Sequence, residues 1–365
     1  MLVFSLKDIK FKDRYIMINK LTNNDFKEAG DKDYTLLTFS WDLIDICQYR
    51  CTYCSAMNFN LHTFKDNPVL HDRWKLVLKK LSLKRIDCPF NFEILGGEPT
   101  LHPNILEIID GLCKIDNCAA VDLITNLAKP TKFYKQIDKE TNRKLTIEAS
   151  FHPQYCNQKW IDKVIELNDC KYIKIFPNIN LPTDRNDWDK TLDLLEQFKN
   201  NNVGISLNFL QTVDEGDVGG WVSEYPDDFW EVFKDHLTEV TTDKQRTTKD
   251  LIDNLVKPSG KETAIKFLKE HAGKITTNIR YKDKNNKNYI LTESDINRYD
   301  LAQFKGWKCK PLMYHIDMEG KITNHCTHEE YSLLDLSRAK LTKCVTCPLV
   351  RCNCDTKFLY HKTSR

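Results

Sequence analysis

Between residues 35 and 213, short apolar, β-branched runs alternate with longer helical patterns, and this rhythm limits the chain to one kind of architecture. Candidate strands lie at 34–45, 90–95, 119–125, 145–151, 172–177 and 203–210. Candidate helices lie near 69–82, 103–115, 131–139, 158–168 and 187–201. The last helix shows the period best, with Trp188, Leu192, Leu195 and Phe198 on one face. Strands separated by helices pair in parallel, and the crossover helices cover the sheet. The expectation is a parallel α/β layer, closed or half-closed.

The flanks differ. Residues 1–34 read as a short β-rich leader, with apolar and polar residues alternating at 3–9 and 15–18. The run Asp-Glu-Gly-Asp-Val-Gly-Gly at 214–220 breaks the rhythm and reads as a linker. Residues 225–272 read as helical, and 275–292 as two strands joined by a polar turn at 283–288. Residues 304–365 are cysteine-rich with few helical signals. The expected division is leader 1–34, barrel 35–213, linker and helical/hairpin insert 214–303, and a small C-terminal domain 304–365.

At 365 residues and 41% apolar, the chain can bury a large core. Lys and Arg number 54 against 52 for Asp and Glu, a balance with no electrostatic footprint for nucleic acid or an anionic membrane. No stretch approaches the roughly 18 apolar residues of a spanning helix. The first 12 residues lack the continuous apolar core of a signal peptide. A soluble, cytoplasmic protein is expected, and with it reduced thiols.

Nine of the 14 cysteines fall into two groups, 47–54 and 309–354. The scattered Cys88, Cys113, Cys118, Cys156 and Cys170 read as small buried hydrophobes. The first group is Cys47-Gln-Tyr-Arg-Cys51-Thr-Tyr-Cys54, a C-x3-C-x2-C run directly after the first barrel strand. Three thiolates this close can wrap one face of a cubic iron–sulfur cluster and leave one iron open to a small molecule. A zinc knuckle with a distant fourth ligand is the competing reading. Tyr53, just before the last cysteine, favours the cluster.

Here the sequence resembles the radical S-adenosylmethionine (SAM) superfamily, whose signature is C-x3-C-x2-C. The resemblance covers roughly residues 35–213 and has a second element. Gly96-Gly97-Glu98-Pro99 follows the second strand, as the family's GGEP motif does. Two glycines let a backbone approach a ligand closely. By resemblance, this loop binds the amino group of SAM, and Tyr53 belongs to the same binding set. Thr125-Asn126 ends the third strand where many members carry Thr-Asn-Gly, although Leu127 replaces the glycine here. Ser150 ends the fourth strand, where a family serine contacts SAM. His102 and His152 each precede a proline and read as structural, although His152 could face a substrate.

The resemblance implies a partial (β/α)6 barrel and a known chemistry. A reduced [4Fe-4S] cluster on Cys47, Cys51 and Cys54 binds SAM and cleaves it to a 5′-deoxyadenosyl radical. That radical takes a hydrogen atom from the substrate, and an electron donor such as flavodoxin or ferredoxin feeds the cluster.

The second group is Cys309, Cys326, Cys344, Cys347, Cys352 and Cys354. Between Cys309 and Cys326, residues 314–323 read as a hairpin turning at Glu319-Gly320. The arrangement is similar to the SPASM and twitch auxiliary-cluster domains that follow some radical SAM barrels. Six cysteines exceed the four of one cluster and fall short of a full two-cluster SPASM set, so one auxiliary [4Fe-4S] cluster is expected on four of the six. Cys309 and Cys326 are the surest ligands, and a structural zinc site is the competitor. His325 and His328 read as bystanders.

The resulting expectation is a radical SAM oxidoreductase or transforming enzyme acting on a small metabolite such as a sugar or nucleotide. The 34 residues ahead of the barrel are too few for the peptide-recognition domain of many peptide maturases, which ranks a maturase second. A non-catalytic iron–sulfur or zinc protein is the third reading, and the GGEP loop speaks against it. Trp221, Tyr225, Phe229 and Trp230 are expected to form a small core in the insert rather than a lid.

Overall fold

The computed structural model describes residues 22–30, 37–51, 54, 68–82, 90–209, 211–214, 217–221, 225–233, 278–292, 296, 301–331, 343–349, 352 and 361–364. The leader alternations at 3–9 and 15–18 and most of the 225–272 helical region lie outside these residues.

After β1 (Phe26–Ala29), the βα rhythm runs as the sequence predicts. It comprises β2 (Leu37–Ile44), α1 (Pro68–Leu81), β3 (Phe90–Gly96), α2 (Ile105–Cys113), β4 (Cys118–Thr125) and α3 (Thr131–Gln136). It continues with β5 (Leu145–Phe151), α4 (Gln158–Leu167), β6 (Lys174–Leu181), α5 (Trp188–Asn200) and β7 (Ser206–Phe209). Strands β2 to β7 pair in parallel in chain order. Alternate residues point to opposite faces. One face supplies Phe39, Trp41, Phe92, Ile94, Val121, Leu123, Ile147 and Ile175, which share a core with Val77, Ile108, Leu112, Val164 and Leu195 of the helices. Each such side chain contributes about 1.5–3 kcal/mol of burial. The opposite register row, Ser40–Glu93–Asp122–Thr146–Lys174, is polar.

Local sequence sets the helices. Asn157 caps α4 by accepting from Lys159 N at 3.0 Å, and Trp160, Ile161, Val164 and Leu167 then form its buried stripe. A Cβ on Gly111 would sit 2.5 Å from Leu78, so glycine there lets α1 and α2 pack closely.

Beyond the barrel come β8 (Gln211–Asp214), β9 (Asp217–Trp221) and α6 (Asp227–Val232). Within the expected linker at 214–220, Asp214 ends β8 and residues 217–220 lie in β9, its hairpin partner. Gln211 pairs with Trp221 and Thr212 with Gly220, around a register shift between Thr212 and Asp214. Glycines that signalled a break are tolerated in this two-stranded ladder. Tyr225, Phe229 and Phe233 join the barrel's core rather than a separate core of the insert, while the side chains of Trp221 and Trp230 lie outside what is described. Phe229 and Phe233 each lie 5.8 Å from Trp188, and Tyr225 Oη donates to Leu181 O at 2.8 Å.

The expected hairpin at 275–292 is β10 (Asn278–Asp283) and β11 (Asn288–Thr292). The C-terminal strands are β12 (Lys308–Cys309), β13 (Met313–Ile316), β14 (Ile322–Asn324), β15 (Glu330–Tyr331), β16 (Val345–Thr346) and β17 (Lys362–Thr363). The hairpin β13–β14 does not stand apart. Strand β13 pairs in parallel with β2 and extends the barrel sheet to nine strands in the order β15-β14-β13-β2-β3-β4-β5-β6-β7. The ends of this sheet, β15 and β7, do not pair with each other, so the barrel is open. A second sheet, β11-β10-β1-β17-β12-β16, gathers strands from the leader, the insert and the C-terminal region. No helix among the described residues is long and apolar enough to cross a membrane.

Candidate functional site

Ligand sites of parallel sheets lie beyond the carboxyl ends of the strands. At that edge a cavity of about 280 Å³ is lined by Cys47, Tyr49, Arg50, Cys51, Cys54, Leu95, Gly96, Gly97, Ile124, Thr125, Asn126, Ser150 and His152. These residues follow β2, β3, β4 and β5 in turn. Its volume is near the low end of ligand pockets, roughly 300–1,000 Å³. All three cysteines of the first group therefore share a wall with the glycine pair, Asn126 and Ser150. Tyr53 lies outside the described residues.

The glycines act on the cysteine loop itself. A Cβ on Gly96 would stand 2.2 Å from Ile44 O, and one on Gly97 2.3 Å from Ile46 O. Gly96 also has φ +132°, which L-residues rarely adopt. That close approach lets Gly97 N donate to Ile44 O at 2.6 Å and Glu98 N to Ile46 O at 2.7 Å. The stretch leading to Cys47 is thereby stitched to the GGEP loop.

Glu98 is buried, with its carboxylate turned into the protein. Oε1 accepts from Thr100 N at 3.0 Å, from Thr100 Oγ1, and from Thr125 Oγ1 at 2.7 Å, while Oε2 accepts from Asn126 N at 2.7 Å. Burial raises its pKa, and these hydrogen bonds pull the other way. Pro99 starts the short 3₁₀ turn Pro99–Leu101 and is buried beside it. The motif's acidic residue thus ties the end of β3 to the end of β4.

Asn126 connects the walls. Its Oδ1 accepts from Gln48 Nε2 at 2.8 Å and Ala128 N at 3.1 Å, and its Nδ2 lies 3.7 Å from Cys47 Sγ. Leu127, at the glycine position of Thr-Asn-Gly, keeps the left-handed turn with φ 59°. Its backbone N donates to Thr125 Oγ1 at 3.1 Å, and its side chain is fully buried.

On the far side, Tyr155 stacks on Tyr49 with centroids 4.3 Å apart and planes 6° from parallel. Its hydroxyl accepts from Arg50 N at 2.8 Å. Sequence reading passed over both tyrosines, and the only cue was a pair of aromatics beside already marked residues, Cys47 and His152. His152 Nδ1 stands 3.4 Å from Cys51 Sγ, and burial pushes the ring's pKa down to about 4, so the imidazole is neutral at neutral pH. His102 is buried, and its Nδ1 accepts from Asn104 N at 3.0 Å in the turn ahead of α2.

Three thiols on one cavity wall fit a cluster with one iron left open to a ligand inside the same cavity. Burial raises the Cys47 thiol, so loading would release protons. Among the described residues no group of three or more His, Cys, Asp or Glu side chains has the arrangement to hold a single metal ion.

The second group divides. Cys309, Cys326, Cys347 and Cys352 are buried, Cys344 is exposed, and Cys354 lies outside the described residues. Cys347 is drawn to β12 by Cys347 N donating to Trp307 O at 2.8 Å and Gly306 N to Cys347 O at 2.9 Å. Cys352 N donates to Ala302 O at 3.0 Å, and Cys326 N to Asn324 Oδ1 at 3.0 Å. Burial pushes the Cys309 thiol to about 12, against the nearby Lys362 ammonium and with Cys352, Cys326 and Cys347 adding to the rise. Cys309 and Cys347 therefore both lie within reach of Cys326 and Cys352. His325 is half-buried and His328 exposed. Of the scattered cysteines, Cys113, Cys118 and Cys156 are buried and Cys170 half-buried, while Cys88 lies outside the described residues.

No protein-family profile matches the chain. Among curated proteins it is similar to the GTP 3′,8-cyclase of Aquifex aeolicus, 25% identical over 193 residues, covering 49% of this chain and 57% of the relative. The GTP 3′,8-cyclase of Mannheimia succiniciproducens is 22% identical over 227 residues, covering 58% and 63%. The matches thus span less than two-thirds of the length of either relative. These relatives are radical SAM enzymes, and the likeness supports the resemblance carried by Cys47–Cys54 and Gly96–Pro99. Among solved structures, Streptococcus suis SuiB bound to S-adenosylmethionine superposes with TM-score 0.47 at 13% identity, over 84% of this chain and 66% of that one. Native anSMEcpe with bound AdoMet and Kp18Cys peptide gives 0.44 at 13%, over 84% and 80%. Superpositions this loose carry no argument about the site.

Proposed function

We propose that this chain is a radical SAM enzyme whose catalytic [4Fe-4S] cluster is held by Cys47, Cys51 and Cys54, with SAM in the adjoining cavity. The observation that carries this reading is the convergence of the three cysteines, Gly96, Gly97, Asn126 and Ser150 on one cavity at the carboxyl edge of a parallel sheet. Bound there, cluster and cofactor supply reductive cleavage of SAM and hydrogen-atom abstraction, chemistry that belongs to the cofactors.

The protein's share is placement. Gly96 and Gly97 bring the GGEP backbone against the cysteine loop, and Glu98 fixes that backbone to Thr125 and Asn126. Asn126 holds Cys47 on the cavity wall and Gln48 beside it. Leu95 and Ile124 give the cavity an apolar side, which keeps water from a reactive centre. Ser150 offers a hydroxyl at the cavity's edge for a polar group of SAM.

An auxiliary [4Fe-4S] cluster on Cys309, Cys326, Cys347 and Cys352 completes the reading, supported by the burial of all four. The substrate class proposed is a small polar metabolite such as a nucleotide, in keeping with the GTP named in the relatives. An electron donor of the flavodoxin or ferredoxin kind would supply the cluster.

The test is anaerobic iron and sulfide reconstitution followed by SAM and dithionite. Release of 5′-deoxyadenosine is expected, with two clusters' worth of iron per chain. Iron bound without any 5′-deoxyadenosine overturns the SAM reading, and a colourless zinc protein overturns both cluster assignments.

A further inference from the structure

A lysine lies buried among the C-terminal cysteines, and no role described above uses it. Strand β17 is held between β1 and β12, with Lys362 opposite Ala29 on one side and Cys309 on the other. Residues directly opposite in an antiparallel ladder have Cβ atoms about 4.5–5.5 Å apart on the same face. Lys362 is 1% exposed and Cys309 is 5% exposed. The Lys362 ammonium sits 5.0 Å over the Phe304 ring, and Phe304 packs edge-on against Trp307 at 5.2 Å. Ser364 N donates to Lys27 O at 2.8 Å, which fixes the strand just beyond the lysine. The strand is bonded on both edges and the side chain is enclosed by its neighbours. By contrast, Lys308, one residue before Cys309, is exposed and reaches Thr346 Oγ1.

Burying an ammonium is expensive unless negative charge lies close by. Four thiolates around an iron–sulfur cluster would add to it, and each electron added to such a cluster makes the site one charge more negative. In a dry interior a fixed cation favours that more negative state, and the net charge around a cluster is one of the terms that set its potential.

We propose that Lys362 sets the reduction potential of the auxiliary cluster, holding it higher than four buried thiolates alone would allow. The inference rests on the auxiliary-cluster reading above. Lys362 acts as a positioning residue through its charge and touches no substrate. It makes the cluster a readier electron acceptor.

The test uses the full chain, reconstituted with iron and sulfide in a background carrying Cys47→Ala, Cys51→Ala and Cys54→Ala, so that only the auxiliary cluster remains. Its midpoint potential is followed by electron paramagnetic resonance during a redox titration. Lys362→Met and Lys362→Gln remove the charge, and Lys362→Arg keeps it. Both neutral variants are expected to titrate at a lower potential than the parent, with the arginine variant close to the parent. Retention of the cluster by the arginine variant alone also supports the proposal. A parental midpoint in either neutral variant overturns it, as does loss of the cluster from all three variants, which would mark a packing role. If the background protein holds no iron at all, the auxiliary-cluster reading falls and this inference falls with it. Iron held at an unmoved potential sinks this inference alone.

Discussion

The two cysteine groups solve different problems with the same side chain. At the barrel edge, Cys47 is half-buried, Cys51 buried and Cys54 exposed, and all three face a cavity that also contains glycine backbone and a neutral histidine. At the C-terminal end, four cysteines are buried, and their segments are pinned by backbone bonds to Trp307 and Ala302 and by the side chain of Asn324. The first group offers three ligands and open space, which suits a cluster that must accept a small molecule. The second offers four buried thiols, which suits the closed auxiliary cluster proposed there. Rigidity also comes from different sources. At the front it comes from a hydrogen-bonded shell around Glu98 and Asn126, and at the back from burial of the ligands themselves.

The largest effects should come from removing ligands, and they should separate the two groups. Cys47→Ala is expected to abolish 5′-deoxyadenosine formation. Cys309→Ala and Cys352→Ala should each remove about one cluster's iron, as loss of one of four thiolates implies, and leave reductive SAM cleavage detectable. Cys344→Ala should leave iron content unchanged, because the four buried thiols already complete one cluster's ligand set. Iron analysis beside a chromatographic assay of 5′-deoxyadenosine reads all four. Equal iron loss from Cys344→Ala and Cys352→Ala would break the division between buried ligands and an exposed bystander.

Glu98→Gln gives a smaller effect confined to the front. Each carboxylate oxygen accepts from a backbone N–H that can only donate, Thr100 N on Oε1 and Asn126 N on Oε2, so an amide nitrogen in either place would face a donor. Hydrogen bonds to a charged group are worth about 1.5–3 kcal/mol each, and a destabilisation of about that size is expected in urea unfolding of the metal-free protein. In the reconstituted protein KM for SAM should rise while the auxiliary cluster's iron and spectrum stay as they were. A loss of auxiliary iron would show that the two sites share one source of rigidity.

The six barrel strands and their helices were legible because buried parallel strands leave apolar runs that need no partner to recognise. What pairs with what was not legible. Nothing in the 313–316 strand marks β2 as its neighbour, and only the fold reveals that the C-terminal hairpin extends the barrel sheet. The glycines at 219 and 220 signalled a break and instead lie within a hairpin ladder. At the site, spacing marked the cysteines and the GGEP loop, but a motif does not say which way a side chain turns. The resemblance gave the GGEP loop to the amino group of SAM, while the structure surrounds the oxygens of its Glu98 with protein donors. Tyr155 was invisible because its importance is a long-range stack on Tyr49, with no local pattern.

Leu127 gives the finest test of the front site's turn. The sequence raised it as a departure, since a glycine is usual there, and the structure keeps the glycine-like φ of 59° with a buried leucine. Left-handed backbone costs a side-chain-bearing residue about 1–2 kcal/mol. Burial of a leucine returns about 1.5–3 kcal/mol, so burial wins and the turn holds. Leu127→Ala should therefore cost about 2–5 kcal/mol, since it loses the packing and keeps the strain. Leu127→Gly loses the same packing and relieves the strain, so it should be the more stable of the two by on the order of 1 kcal/mol, the reverse of the order in a helix or strand interior. Urea midpoints of the metal-free variants measure the difference. Alanine more stable than glycine would mean that the turn relaxes to negative φ once the buried side chain is gone. Asn126, one residue earlier, would then lose its hold on Gln48 and Cys47, and the front site would owe its shape to a leucine's packing rather than to the hydrogen bonds around Glu98.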